Sequence, residues 1–146
     1  MIRGLAVLGL LALTACAPQS DGVTLVRSIG PGATTPNSAT TVALFKAVCI
    51  ESRGQHSAML KILAGMPVAR DPESDIYYHD VYDTSYKAVF EDGGEACSFV
   101  SGVANNATAI ALQLEGAGKA ADLSVGARGD RSESGARYVV ARAYAR

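Results

Sequence analysis

The chain has 146 residues, with 13 basic and 14 acidic side chains, a formal net charge of -1. That length argues for one domain, and the charge balance excludes a strongly basic nucleic-acid binder and an extended acidic tail. The 49% apolar content overstates the core. Eleven of the first fifteen residues are apolar, and in residues 16–146 only 27 of 131 are Leu, Ile, Val or Phe. A fraction of about a fifth borders on the composition at which a chain no longer orders itself, so the core must be small.

Met1 and Arg3 open the chain, and residues 5–13 are apolar apart from Gly9. This run is too short to cross about 30 Å of hydrocarbon, which takes roughly 20 helical residues. It has the length of the apolar segment of a secretory signal. Leu13-Thr14-Ala15-Cys16 follows and resembles the lipobox of bacterial lipoproteins: an aliphatic residue, two small residues and a cysteine. The resemblance covers residues 1–16 only. It implies diacylglycerol on the Cys16 thiol, cleavage between Ala15 and Cys16, and a new amino group open to acylation, with no other cofactor. Two or three acyl chains hold a protein firmly where one is marginal. Ala17 stands where some lipoproteins carry the aspartate that retains them at the inner membrane. The periplasmic leaflet of the outer membrane is therefore the expected location.

Residues 16–41 form the expected anchor and tether, with Pro18, Gly22, Gly30, Pro31, Gly32 and Pro36 among many Ser and Thr. About 25 extended residues reach roughly 80 Å. Residues 23–29 alternate like a strand, leaving open whether they join the sheet of the domain.

A compact domain is expected over residues 42–146, with Ser38 or Thr40 as the first helix cap. Val42, Phe45, Val48 and Cys49 recur at helical spacing within 41–52, and Met59, Ile62 and Leu63 within 55–65. Gly65 and Pro67 then end the second helix. After a loop at 71–75, residues 76–81 and 85–91 read as strands, Asp92-Gly93-Gly94 as a hairpin turn, and 96–103 as the partner strand. From Asn105 or Asn106 to about Glu115 the alanine content favours a helix over an equally alternating strand. Residues 116–135 read as loop with a short strand at 123–125, and 138–144 as a closing strand. This order defines a small α+β domain: two N-terminal helices, an antiparallel hairpin and sheet, one further helix and a C-terminal strand.

With Cys16 assigned to lipid, Cys49 and Cys97 remain, both on predicted inner faces. An exported chain meets an oxidising compartment, so the even remainder predicts a disulfide. The competing reading makes Cys49 a reactive thiol with His56 as its base, but no surrounding protease signature supports it.

Tyr77, Tyr78, Tyr82 and Tyr86 cluster within ten positions around His79, Asp80 and Asp83. Tyrosine offers apolar area plus a hydroxyl, so this stretch is the candidate binding patch for a sugar, peptide or protein. Half-buried strand positions also favour tyrosine. His79, Asp80 and Asp83 lack a recognised metal spacing. Asp71, Glu73 and Asp75 start like a calcium loop, but Ile76 and Tyr82 occupy the positions that need glycine and glutamate. Arg128-Gly129-Asp130 is an integrin-type tripeptide on an expected loop. Nucleophile elbow, phosphate loop and CxxC pair are missing from the sequence. Residues 71–95 hold eight acids against Lys87 alone, and residues 128–146 hold five arginines against Asp130 and Glu133. These segments either compensate each other in the fold or present charged faces to a partner or to lipid head groups.

The sequence thus leads to a lipid-anchored envelope protein carrying a non-catalytic binding or structural module for an envelope partner. The alternative is a small periplasmic hydrolase or ligand-binding protein that uses the Tyr77–Tyr86 stretch.

Overall fold

The computed structural model describes residues 33–91 and 93–145. The signal, the lipobox and residues 23–29 lie outside the described residues. Helix α1 spans Ser38–Phe45 and is capped by Asn37, whose Oδ1 accepts the Thr40 amide at 2.8 Å. Ser38 and Thr40 fall inside the helix instead, because Asn37 already supplies an extended backbone and an acceptor one residue upstream. The packed chain starts earlier still. Thr34 makes a parallel bridge to Tyr82, ahead of the boundary expected at residue 42.

A π-helical turn, Lys46–Ile50, continues α1, with the Glu51 amide bonded to the Lys46 carbonyl at 3.1 Å. Phe45, Val48 and Cys49 are fully buried on its inner side. The chain then reverses at Gly54, whose φ is 73°. A side chain there would meet the Ala143 carbonyl at 2.5 Å, so the turn requires glycine for both its backbone and its space. Helix α2, His56–Leu63, buries Met59 and Leu63.

Six antiparallel strands follow: β1 Val68–Asp71, β2 Ile76–His79, β3 Thr84–Glu91, β4 Gly94–Gly102, β5 Ser124–Arg131 and β6 Arg137–Tyr144. Their order in the sheet is β1-β2-β3-β4-β6-β5. Helix α3, Ala107–Ala120, connects β4 to the far edge strand β5. Its cap is Asn106, which accepts the Ala109 amide at 3.0 Å. The mixed α+β class expected from the sequence is the class observed. β3 and β4 pair from Thr84↔Ser101 to Glu91↔Gly94, and Gly93 in the connection has φ 78°.

Tyr86, Phe99 and Ala141 are register partners and share one face of the sheet. The helices contribute Phe45, Met59, Leu63, Ile110 and Leu114 to the same core. Phe99 stands at its centre, with Phe45 at 5.4 Å and Tyr86 at 5.5 Å between ring centroids. Cys49 and Cys97 are joined across a sequence separation of 48, tying the π turn to β4. In the chain-entropy description a loop of that size contributes roughly 4 kcal/mol.

Two elements differ from the sequence expectation. β1 lies where only a helix stop and a loop were expected. It is four residues long and forms the sheet edge, so it carries too little alternation to stand out. The segment 116–135 is not loop-rich: α3 runs to Ala120 and β5 is a full strand. Its glycines are packing positions. A Cβ at Gly118 would lie 2.2 Å from Val125 Cγ2, and one at Gly129 would lie 2.7 Å from Ala107, so both let α3 and β5 approach closely.

Candidate functional site

Strand alternation distributes the tyrosine stretch over separate environments. Tyr86 is fully buried beneath α1, its hydroxyl 3.4 Å from the Leu44 carbonyl. Burial raises its pKa far above the ordinary phenol value. Tyr78 is buried on the opposite face, beside Ser85. His79 is buried as well, and its Nδ1 accepts the amides of Val81 at 3.1 Å and Tyr82 at 3.3 Å. Desolvation lowers the His79 pKa, partly offset by the charge of Asp80. A neutral imidazole thereby holds the β2–β3 corner, with the Tyr82 ring 5.1 Å away.

Asp80 is exposed, and its amide bonds the Pro67 carbonyl. Asp83 lies over Gly102, where a Cβ would meet its carboxylate oxygen at 2.4 Å. Its Oδ1 is buried and has no hydrogen-bond partner among the described residues, and desolvation raises its pKa. The seven residues therefore form no single patch. Tyr77, half-buried and the register partner of Tyr86 on the helix-bearing face, lines a concave surface.

That surface is a groove of about 560 Å³ between α2 and the β1–β2 hairpin. α3 packs over β5 and β6, and α2 and the π turn pack on β4, while Tyr77 of β2 and Ala88 and Phe90 of β3 are left as the floor. His56, Met59 and Leu60 line it from α2. The Phe90 ring is 62% exposed and meets His56 edge-on, with ring centroids 5.4 Å apart. Glu95 fixes this wall by accepting the His56 amide at 2.8 Å, which places a carboxylate at the N-terminus of α2.

The opposite wall is the polar turn after β1. Arg70 bonds Asp75 through two guanidinium nitrogens. Asp71 accepts the Ser74 hydroxyl and the Glu73 amide, and these bonds lower its pKa. The residues that looked like the start of a calcium loop instead organise a turn around Asp71. Among the described residues, no cluster of three or more His, Cys, Asp or Glu could hold a metal ion.

A second hollow, of about 640 Å³, lies where Arg131 and Arg137 face the start of α3. The Arg128-Gly129-Asp130 tripeptide near it belongs to β5, not to a loop, and Gly129 is present for contact with Ala107. The Cys49–His56 thiol–base pair is ruled out by the disulfide. Across β4, Arg142 contacts both oxygens of Glu91 at 2.7 and 2.8 Å, so the acidic and basic segments do meet at this point.

Sequence reasoning singles out Tyr77 but not the groove, because its lining comes from three separate stretches, 56–60, 70–77 and 87–90. Phe90 lies in the 85–91 strand on the face of Tyr86 and Ala88. Its exposure depends on how far α2, which starts at His56 beside it, reaches over β3, which no local pattern encodes. Compared with known proteins, the chain matches no family model, no curated protein and no solved structure.

Proposed function

We propose that the chain is a lipid-anchored protein of the bacterial cell envelope, held at Cys16 in the periplasmic leaflet of the outer membrane, whose domain is a non-catalytic binding module. The observation that carries this reading is the assignment of the three cysteines. Cys49 and Cys97 are joined, so the one that remains is Cys16, at the end of Leu13-Thr14-Ala15-Cys16. Thr34 is already bridged to Tyr82, so a tether from the acylated cysteine would span at most about 17 residues, or roughly 55 Å when extended. The Tyr77 groove is the surface the module offers a ligand.

Mass analysis of the N-terminal peptide from envelope fractions tests the anchor. A diacylglyceryl-cysteine at position 16 is expected, and Cys16→Ala should release the protein from the membrane fraction. A mature terminus elsewhere, or an unmodified Cys16 thiol, overturns the anchor. Turnover of any substrate that depends on groove residues overturns the non-catalytic reading.

A further inference from the structure

We infer that the groove between α2 and the β1–β2 hairpin binds a neutral oligosaccharide, stacked on Phe90 and Tyr77; this rests on the binding-module reading and names its ligand class. Three features of the groove point the same way.

The first is a flat apolar surface that the fold leaves uncovered. Phe90 is 62% exposed although neighbouring positions of the same face are packed, and the His56 ring supports it edge-on. Tyr77 adds a half-buried ring with a hydroxyl. An exposed aromatic face suits the C–H face of a pyranose ring, because the ring quadrupole is negative over the face and the C–H groups are weakly positive.

The second is charge. The turn wall of the groove presents Arg70 against Glu73 and Asp75, whereas Lys87 alternates with Tyr86 and Ala88 toward the other face of β3. The Arg70–Asp75 pair is already closed on itself. Such a wall attracts neither anion nor cation strongly, so it disfavours phosphates, polyanions and cationic peptides alike.

The third is the supply of hydrogen-bonding groups. Arg70 only donates, the Glu73 and Asp75 carboxylates accept, and the Ser74 hydroxyl does both. A ligand with apolar ring faces and hydroxyls around its rim satisfies both the wall and the floor. A purely apolar acyl chain would strip water from these charged groups without replacing their hydrogen bonds. A groove of about 560 Å³ has the capacity of ordinary small-molecule sites, large enough for two or three sugar rings.

The test is a titration of the full mature chain in detergent, followed by amide chemical shifts. The probes are N-acetylglucosamine tetramer, maltotetraose, a sulfated oligosaccharide and a neutral tetrapeptide. A neutral sugar is expected to shift Tyr77, Ala88 and Phe90 with saturation in the micromolar-to-millimolar range. Phe90→Ala should weaken binding about tenfold, the size expected for losing one aromatic contact. Leu112→Ala, an equally exposed apolar truncation on α3, should leave binding unchanged and serves as the control for general surface effects.

No saturable shift with either neutral sugar overturns the inference. So do binding of the sulfated sugar alone, shifts confined to the hollow at α3, and an undiminished affinity in Phe90→Ala. Saturable binding of the tetrapeptide alone also overturns the glycan assignment, but leaves the binding-module reading standing. The mass of the Cys16 peptide reports the anchor independently of every one of these outcomes.

Discussion

The two edges of the sheet are finished in opposite ways. At the β5 edge a fourteen-residue helix lies tightly on the strand, admitted by Gly118 and Gly129, and Glu115 even accepts the outward amide of Ala127 at 3.1 Å. At the β1 edge the strand is four residues long, its turn is polar, and α2 stops short of covering β2 and β3. The first arrangement removes surface, and an edge so covered is protected against pairing with other chains. The second leaves an aromatic floor in water. In a domain with so few large apolar residues, close approach through glycine completes the core on one side and leaves the other side open.

The comparison can be broken most forcibly at the link that holds the helices over the sheet. Replacing both Cys49 and Cys97 by alanine should lower unfolding stability by roughly 4 kcal/mol, read from urea denaturation at neutral pH. Unchanged stability would mean that helix packing alone positions α2 and the groove wall.

A smaller effect separates packing from helix propensity on the covered side. Gly118→Ala should destabilise by about 1–3 kcal/mol, because the new methyl meets Val125. Gly116→Ala, two residues away with open space around it, should stabilise by about 0.5–1 kcal/mol. Opposite signs in thermal melts are expected; the same sign for both would remove close packing as the reason for glycine at 118.

On the open side the prediction concerns pH. Burial depresses the His79 pKa below its unfolded value of about 6.5, so the unfolded chain binds more protons as the medium acidifies. The stability contributed by neutral His79 is fully present above about pH 6.5 and is lost as pH falls through the folded pKa. Melting temperatures measured between pH 5 and pH 8 should drop on the acid side in the wild type and drop less in His79→Asn. Parallel profiles would sink this account of the β2–β3 corner.

The smallest effect belongs to the surface pair that spans the sheet. Glu91→Gln should cost less than about 1 kcal/mol, and the loss should fade at 1 M salt. A larger, salt-independent loss would mean that the acidic and basic segments are coupled more strongly than this one contact.

Much of the fold was legible because its signals are local. Phe45, Val48 and Cys49 repeat at helical spacing, Gly93 supplies the positive φ of a hairpin, and Cys97 faces inward by alternation from Phe99. The disulfide followed from redox compartment and face. What misled was glycine, which looks the same in a sequence whether it serves a turn or a close contact. Gly54 combines a positive φ with close contact to β6, whereas Gly118 and Gly129 are contacts alone, and the contacts depend on strands distant in sequence. The tyrosines misled for a related reason: adjacent residues in a strand point to opposite faces, so proximity in sequence scattered Tyr77, Tyr78 and Tyr86 in space. The groove was invisible because it is an absence of cover, set by how far α2 reaches over β3.

The disulfide also limits how far this chain can be stretched. If the chain is pulled between its N-terminus and the end of the domain, load runs along its backbone. The bond between Cys49 and Cys97, 48 positions apart, withholds the loop between them from that load, roughly 160 Å of contour that would otherwise extend on unfolding. A chain cross-linked in this way yields in two stages under load. The free segments extend first, and the cross-linked loop follows only if the bond is reduced.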